Sequence, residues 1–325
     1  MTTFARMKKT ANTDSKHSRM PRRGFRERCV RDFKKNRVLY LLVLPVLAFY
    51  IIFHYMPMYG VTIAFKNFSP SKGIMESPWI GMEHFTNFFG SVYFKRVLLN
   101  TLRISFTSIL FGFTAPIILA LLINELRSKR YARIVQTVTY MPHFISLVVV
   151  CGILTNFLSE TGVITQFLSM FGMEKQDLLR VPGYFTTIYI ASGIWQEIGW
   201  GSIIYLAALA GIDPSLHEAA RIDGAGRWRQ IWAVDIPGIL PTIVTLLVLR
   251  MGKVMNVGFE KIILLYNPLT MQTADVISSF VYRKGLMESN YGYSTAVGLF
   301  NSVINMILVI LANKISRKLN ETSLW

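Results

Sequence analysis

The residues best suited to do work in this 325-residue chain lie in one short run, Asp213-Pro214-Ser215-Leu216-His217-Glu218-Ala219-Ala220-Arg221-Ile222-Asp223-Gly224-Ala225-Gly226. Asp213 is of the type that caps a helix, its carboxylate accepting from backbone N–H groups that the first turn leaves free. Pro214 suits the first helical position, and Gly224 can take the left-handed conformation that closes one. The run predicts a helix of about two or three turns, which is marginal on its own in water and needs a surface to rest on. Ala219 and Ala220 permit close approach, Glu218 and Arg221 place opposite charges one turn apart, and Asp223 precedes the closing glycine. Two readings fit: a knob that enters a partner's groove, and a loop helix lying on a membrane surface.

Other arrangements with chemical potential fail on spacing. His217-Glu218 is not a zinc-protease signature, because Arg221 stands where the second histidine is required. Gly252-Lys253 is not a phosphate loop, since Val254 replaces the Ser or Thr and the upstream glycine is missing. The histidines at 17, 54, 84, 143 and 217 form no local ligand cluster, and Cys29 and Cys151 support neither a disulfide framework nor a metal site. The chain is expected to catalyse nothing itself and to hold no metal or cofactor.

Polar residues inside apolar segments form a second group of candidates. Glu197 falls near the middle of one long segment and Arg250 lies in the next, which would run antiparallel. Charges inside a bilayer are costly and mark either a transport pathway or a buried pair, and an interaction between these two is expected. Trp195, Gln196 and Trp200 are of the types that bind sugars, by stacking on pyranose faces and bonding hydroxyls; they are equally the types that pack helices. Lys253 and Asn256, near the far end of the next segment, are candidates to meet incoming hydroxyls or to snorkel to water.

The elements that must position these residues are membrane-spanning helices. The chain is 52% hydrophobic and 16% charged, with a mean hydropathy of +0.39, against about 25% charged in an ordinary soluble protein. Its apolar residues fall into blocks near the roughly 20 residues that cross a bilayer, where only a helix satisfies its own backbone. Six all-α spans are predicted, at 38–54, 98–123, 134–158, 184–210, 236–255 and 295–312. No soluble catalytic domain, internal repeat or low-complexity region interrupts them.

Charge sets the orientation. Of 35 Lys and Arg residues, 13 lie in the first 37 positions, ahead of the first span. That basic tail, residues 1–37, the segments 124–133 and 211–230, and the residues after 313 together carry 23 basic residues, against 10 in the segments between on the other side. The positive-inside rule places both termini and the 211–230 loop in the cytoplasm. The net charge of +17 therefore reads as membrane orientation and attraction to anionic lipid. No zinc or RNA-binding signature accompanies it, so nucleic acid is not an expected partner. The region after the tail is read as one transmembrane domain, 38–325.

Glu218-Ala219-Ala220, then Asp223-Gly224-Ala225, then Ile236-Pro237 and Pro241, resembles the EAA motif of binding-protein-dependent ABC importer permeases. Further stretches resemble the polysaccharide- and alginate-type branch of the maltose-permease-like family. They include Trp79-Ile80-Gly81, Gly258-Phe259-Glu260-Lys261-Ile262, Leu265-Tyr266-Asn267-Pro268 and Ala274-Asp275-Val276-Ile277. The resemblance implies a type I ABC importer permease in a bacterial inner or plasma membrane, importing oligosaccharides or polysaccharides. It makes the 211–230 loop the coupling element, with Glu218, Ala219, Ala220, Arg221, Asp223 and Gly224 docking on an ATPase. It also implies a second, related permease, two ATPase subunits that use ATP and Mg, and an extracytoplasmic solute-binding protein. The sugar-binding asparagines and phenylalanine of the maltose permease are absent at the matching positions Met251, Val254, Met255 and Gly258, so that site does not carry over. The rival class is an ion-driven secondary transporter, which would need intramembrane carboxylates at an ion site. Glu197 is the one clear candidate, and the EAA-like loop would be left without a role.

Overall fold

The computed structural model describes residues 35–320, with side chains to 317 at the C-terminal end. Most of the predicted basic tail, and Cys29 within it, lie outside the described residues. The chain divides between Tyr59 and Gly60 into two units. The first holds α1 (Arg37–Tyr50), which buries no residue and continues through a π turn at Ile51–Tyr55.

The second unit contains the principal helices α2 (Val92–Gly112), α3 (Thr114–Asn124), α4 (Lys129–Tyr140), α5 (Leu147–Leu158), α6 (Phe185–Ala210), α7 (Pro214–Ile222), α8 (Ile236–Met251) and α9 (Tyr291–Asn320). Helix α6 is central and packs along α3, α2, α4 and α8, while α9 packs on α8. One apolar core gathers Ile104, Phe185, Ile190 and Ile262; a second gathers Phe88, Val97, Phe280 and Val297; a third, near the α6–α7 loop, gathers Ala120, Tyr205, Leu209 and Ile239.

Among the described residues, five helical runs are long and apolar enough to cross a membrane: Arg37–Phe65, Val92–Asn124, Leu147–Ser169, Arg227–Met251 and Tyr291–Arg317. The predicted span at 184–210 is present as the 26-residue α6 but is not apolar enough to join that group.

Prolines explain where the helices depart from regularity. Pro116 has no N–H to give Gly112, its partner one turn back; the helix turns at Phe113, and the Thr114 hydroxyl donates to Leu110 O at 2.5 Å. The span predicted over 134–158 is not continuous, which corrects the sequence expectation. Helix α4 ends at Tyr140, Met141–Phe144 forms a 3₁₀ turn around Pro142, and Ile145 and Ser146 are extended before Ser146 caps α5. The span predicted over 236–255 ends its helix at Met251 and begins earlier, passing through a π turn at Ile231–Asp235. That turn precedes Pro237, which cannot donate to Ala233.

Candidate functional site

Of the coupling-loop candidates, Glu218, Ala219, Ala220 and Arg221 lie on α7 and Asp223 and Gly224 follow its end, where the sequence predicts the helix to close. Asp213 Oδ1 accepts from Ser215 N at 2.9 Å, and Pro214 is the first helical residue. Hydrogen bonds from Ser215 hold the Asp213 carboxyl below its usual range. At the other end Gly224 has φ +75°, Gly224 N donates to Arg221 O at 3.0 Å and Ala225 N donates to Ala220 O at 2.9 Å. These two bonds are the pair that closes a helix through a left-handed residue. Helix α7 buries no residue of its own. Glu218, Ala219, Arg221, Ile222, Asp223 and Gly224 are all exposed, Ile222 to 86%. The exposed Trp228 and Trp232 follow in the same loop and the base of the next helix. A nine-residue helix with so little of its surface covered is shaped to be completed by another molecule.

The loop is anchored at its edges. Ile212 packs against α8 where a side chain on Gly238 would come within 2.6 Å of Ile212 Cδ1. Arg227 Nε lies 3.9 Å from Glu125 Oε2 on the turn after α3, and Gln230 Nε2 donates to Ala225 O at 2.8 Å.

The second site is built on the α4–α5 break. Gly199 of α6 has no side chain and lies directly against the backbone of Thr139 and Tyr140, which lets α6 press on the end of α4. One turn earlier, Gln196 Nε2 donates to Ile145 O at 3.2 Å, supplying a partner to a carbonyl that the broken helix leaves free. Gln196 is thus buried, at 8% exposure, and its amide is committed to the break.

That register brings three residues together on an exposed face. His143 Nδ1 donates to Glu197 Oε2 at 3.0 Å, and the His143 ring stacks on Trp200 with centroids 4.4 Å apart and planes at 3°. The Phe144 ring stands nearly perpendicular to both. Glu197 therefore pairs with His143, which corrects the expected Glu197–Arg250 interaction. Arg250 instead points toward Gly112, where an added Cβ would be 3.8 Å from its Nη2. Sequence reading missed His143 because 54 positions separate it from Glu197; its proximity to Pro142 was the available signal of a break.

The remaining candidates lie elsewhere. Trp195 is on a different face of α6 and lines a 740 Å³ cavity between α5 and α6 with Val150, Leu154 and Ile188 among its apolar walls. Lys253 and Asn256 follow the end of α8. Asn256 Oδ1 accepts from Asn301 Nδ2 at 2.8 Å and Asn305 Nδ2 at 3.1 Å, beside a 560 Å³ cavity that Ser302 and Asn305 also line. Among the described residues no group of His, Cys, Asp and Glu is arranged to hold a metal ion.

Residues 112–321 match the family described as "Binding-protein-dependent transport system inner membrane component". The chain is 43% identical over 293 residues to Protein LplB of Bacillus subtilis (strain 168), covering 90% of this chain and 92% of that protein. It is 40% identical over 301 residues to the polygalacturonan/rhamnogalacturonan transport system permease protein YteP of the same organism, covering 92% and 94%. Among solved structures, it matches a chain of a bacterial ABC transporter involved in the import of the acidic polysaccharide alginate. That match has a TM-score of 0.85, 47% identity, and coverage of 90% of this chain and 99% of that one. A second structure of a bacterial alginate ABC transporter, in complex with its pentasaccharide-bound periplasmic protein, matches with a TM-score of 0.84 and 46% identity. The chain is a multi-pass membrane protein and belongs to the family of binding-protein-dependent transport system inner membrane components, permease subunits of ATP-driven importers that are not themselves enzymes.

Proposed function

We propose that this chain is one of two related permease subunits of an importer for oligosaccharides or polysaccharides. ATP and Mg are bound by two separate ATPase subunits, and a solute-binding protein delivers the sugar from outside. The observation that carries the reading is α7: a capped, glycine-closed helix with its surface uncovered and the EAA sequence on it, in a chain similar throughout to polysaccharide permeases. In this reading Glu218, Ala219, Ala220, Arg221, Asp223 and Gly224 form the face that enters the ATPase.

The same reading makes six spans, counting α6, with both termini in the cytoplasm. Helix α6 can be less apolar than the others because Glu197 and Trp200 face an aqueous pathway rather than lipid, the usual place for polar residues at membrane depth. The His143–Glu197–Trp200 cluster suits a sugar there: indole and imidazole offer flat faces, and the carboxylate accepts from hydroxyls. A helix interrupted beside a site in mid-membrane is the arrangement that transporters use where backbone lines a cavity.

Reconstitution tests it. This chain, its partner permease, the ATPase and the binding protein in proteoliposomes should take up labelled oligosaccharide in an ATP-dependent manner. Uptake that persists without ATPase subunits and follows an ion gradient would overturn the assignment. Labelling of single cysteines at 218 and at both termini, in intact cells against permeabilised ones, checks the orientation; reaction at 218 from outside would refute it.

A further inference from the structure

Two carboxylates of this chain are equally buried and are treated in opposite ways. Asp275, 1% exposed, accepts from Ser279 Oγ at 2.8 Å, from Arg283 Nη1 at 3.2 Å and Nη2 at 2.7 Å, and from Arg96 Nη2 at 3.3 Å. Asp235, also 1% exposed, has no hydrogen bond to either carboxylate oxygen. His217 Nε2 lies 3.4 Å from its Oδ1, close enough to pair but not aligned to donate. A buried carboxylate lacking an aligned donor is costly, so the arrangement calls for a state in which the donor is aligned.

The placement of the two residues indicates that state. His217 projects from α7, the coupling helix of the proposed function, and among the described residues it makes the one ion-pair contact from α7 to the rest of the chain. Asp235 is the last residue of the π turn at Ile231–Asp235 and leads directly into α8. Beneath α7 lies a 670 Å³ polar cavity, lined by Glu125, His217, Glu218, Arg221 and Arg227 among others. Helix α7 therefore borders open space on the side that faces Glu125 and Arg227. The other charged groups near the pair are Glu125, on the turn after α3, and Arg227, which faces Glu125.

We propose that His217 and Asp235 are a strut that transmits movement of the coupling helix to α8. In the conformation described here the two are in contact at 3.4 Å without an aligned hydrogen bond. Pressure on α7 brings His217 Nε2–H into line with the Asp235 carboxylate, and the hydrogen bond then forms in one state of the cycle only. An interaction that differs between two states shifts the equilibrium between them, whereas one present in both does not. His217 and Asp235 act through the helices that they join, and so are positioning residues. The proposal rests on α7 being the ATPase docking element.

The test uses the complete transporter in proteoliposomes with loaded binding protein, reading sugar transported per ATP hydrolysed and the ratio of stimulated to basal hydrolysis. Asp235→Asn and His217→Gln should each lower sugar per ATP by about tenfold or more, the effect of one charge-assisted hydrogen bond, with subunit abundance and ATPase co-purification retained. The double variant should be no worse than the poorer single variant, and His217→Arg, which supplies N–H donors to the same carboxylate, should recover part of the loss. Unchanged ratios in both single variants, or losses that multiply in the double variant, would overturn the strut. A cysteine at 222 that fails to cross-link to the ATPase in the otherwise natural transporter would instead overturn the docking reading beneath it.

Discussion

His143 and Glu197, 54 positions apart, meet at 3.0 Å because α4 stops short and Gly199 lets α6 lie against its end. The contact turns two separate polar residues into one unit, with Trp200 stacked on the imidazole. His143→Ala and Glu197→Gln should each reduce uptake by about tenfold or more, the scale of a charge-assisted hydrogen bond, at normal membrane abundance. The double variant should match the poorer single one. Uptake assays paired with quantitative blotting check this, and independent losses would show that the two do not act together.

Because Glu197 is paired with His143, Arg250 should be energetically separate from it. The Glu197→Gln and Arg250→Gln effects on thermal stability in detergent should add within about 0.5 kcal/mol. A larger interaction term would indicate contact between them in another conformation.

Gly199→Ala should be severely damaging for so small a change. The added methyl collides with the Thr139 carbonyl, and backbone cannot rotate away as a side chain can. A cost of about 1–3 kcal/mol should appear as lower abundance and melting temperature. Gly152→Ala is the control, since nothing lies within 4 Å of that position.

Asp275 ties α2 to the segment before α9 through Arg96 and Arg283. Asp275→Ala leaves two cations facing each other with no counter-charge, and removing one partner of a buried pair costs about 3–5 kcal/mol. Loss of folded subunit, scored by detergent thermal stability, is the expected result; a fully stable variant would contradict the assignment of this carboxylate as a structural tie.

Gly224→Val should leave insertion intact and abolish coupling. Space around Gly224 is open, so the cost is conformational, about 1–2 kcal/mol at its positive φ, and falls on the end of α7. Glu218→Lys reverses the charge that the proposed docking would present to the ATPase. Both variants should keep abundance and binding-protein docking while ligand-stimulated hydrolysis and uptake fall; normal uptake by both would exclude this loop as the coupling element.

Much of this protein follows from sequence alone, for local reasons. Apolar blocks demand helices because hydrocarbon offers the backbone no other partner. Asp213, Pro214 and Gly224 bound α7 through capping chemistry that involves only near neighbours. Tertiary structure alone decided which distant residues meet. The break at Ile145 depends on Pro142 locally, but its stability depends on Gln196 reaching across from α6. Glu197 chose His143 over Arg250 because register between helices, which no hydropathy pattern encodes, put the imidazole within reach. Likewise Asp275 and Asp235 are alike as residues, and only packing made one a saturated tie and left the other without an aligned donor.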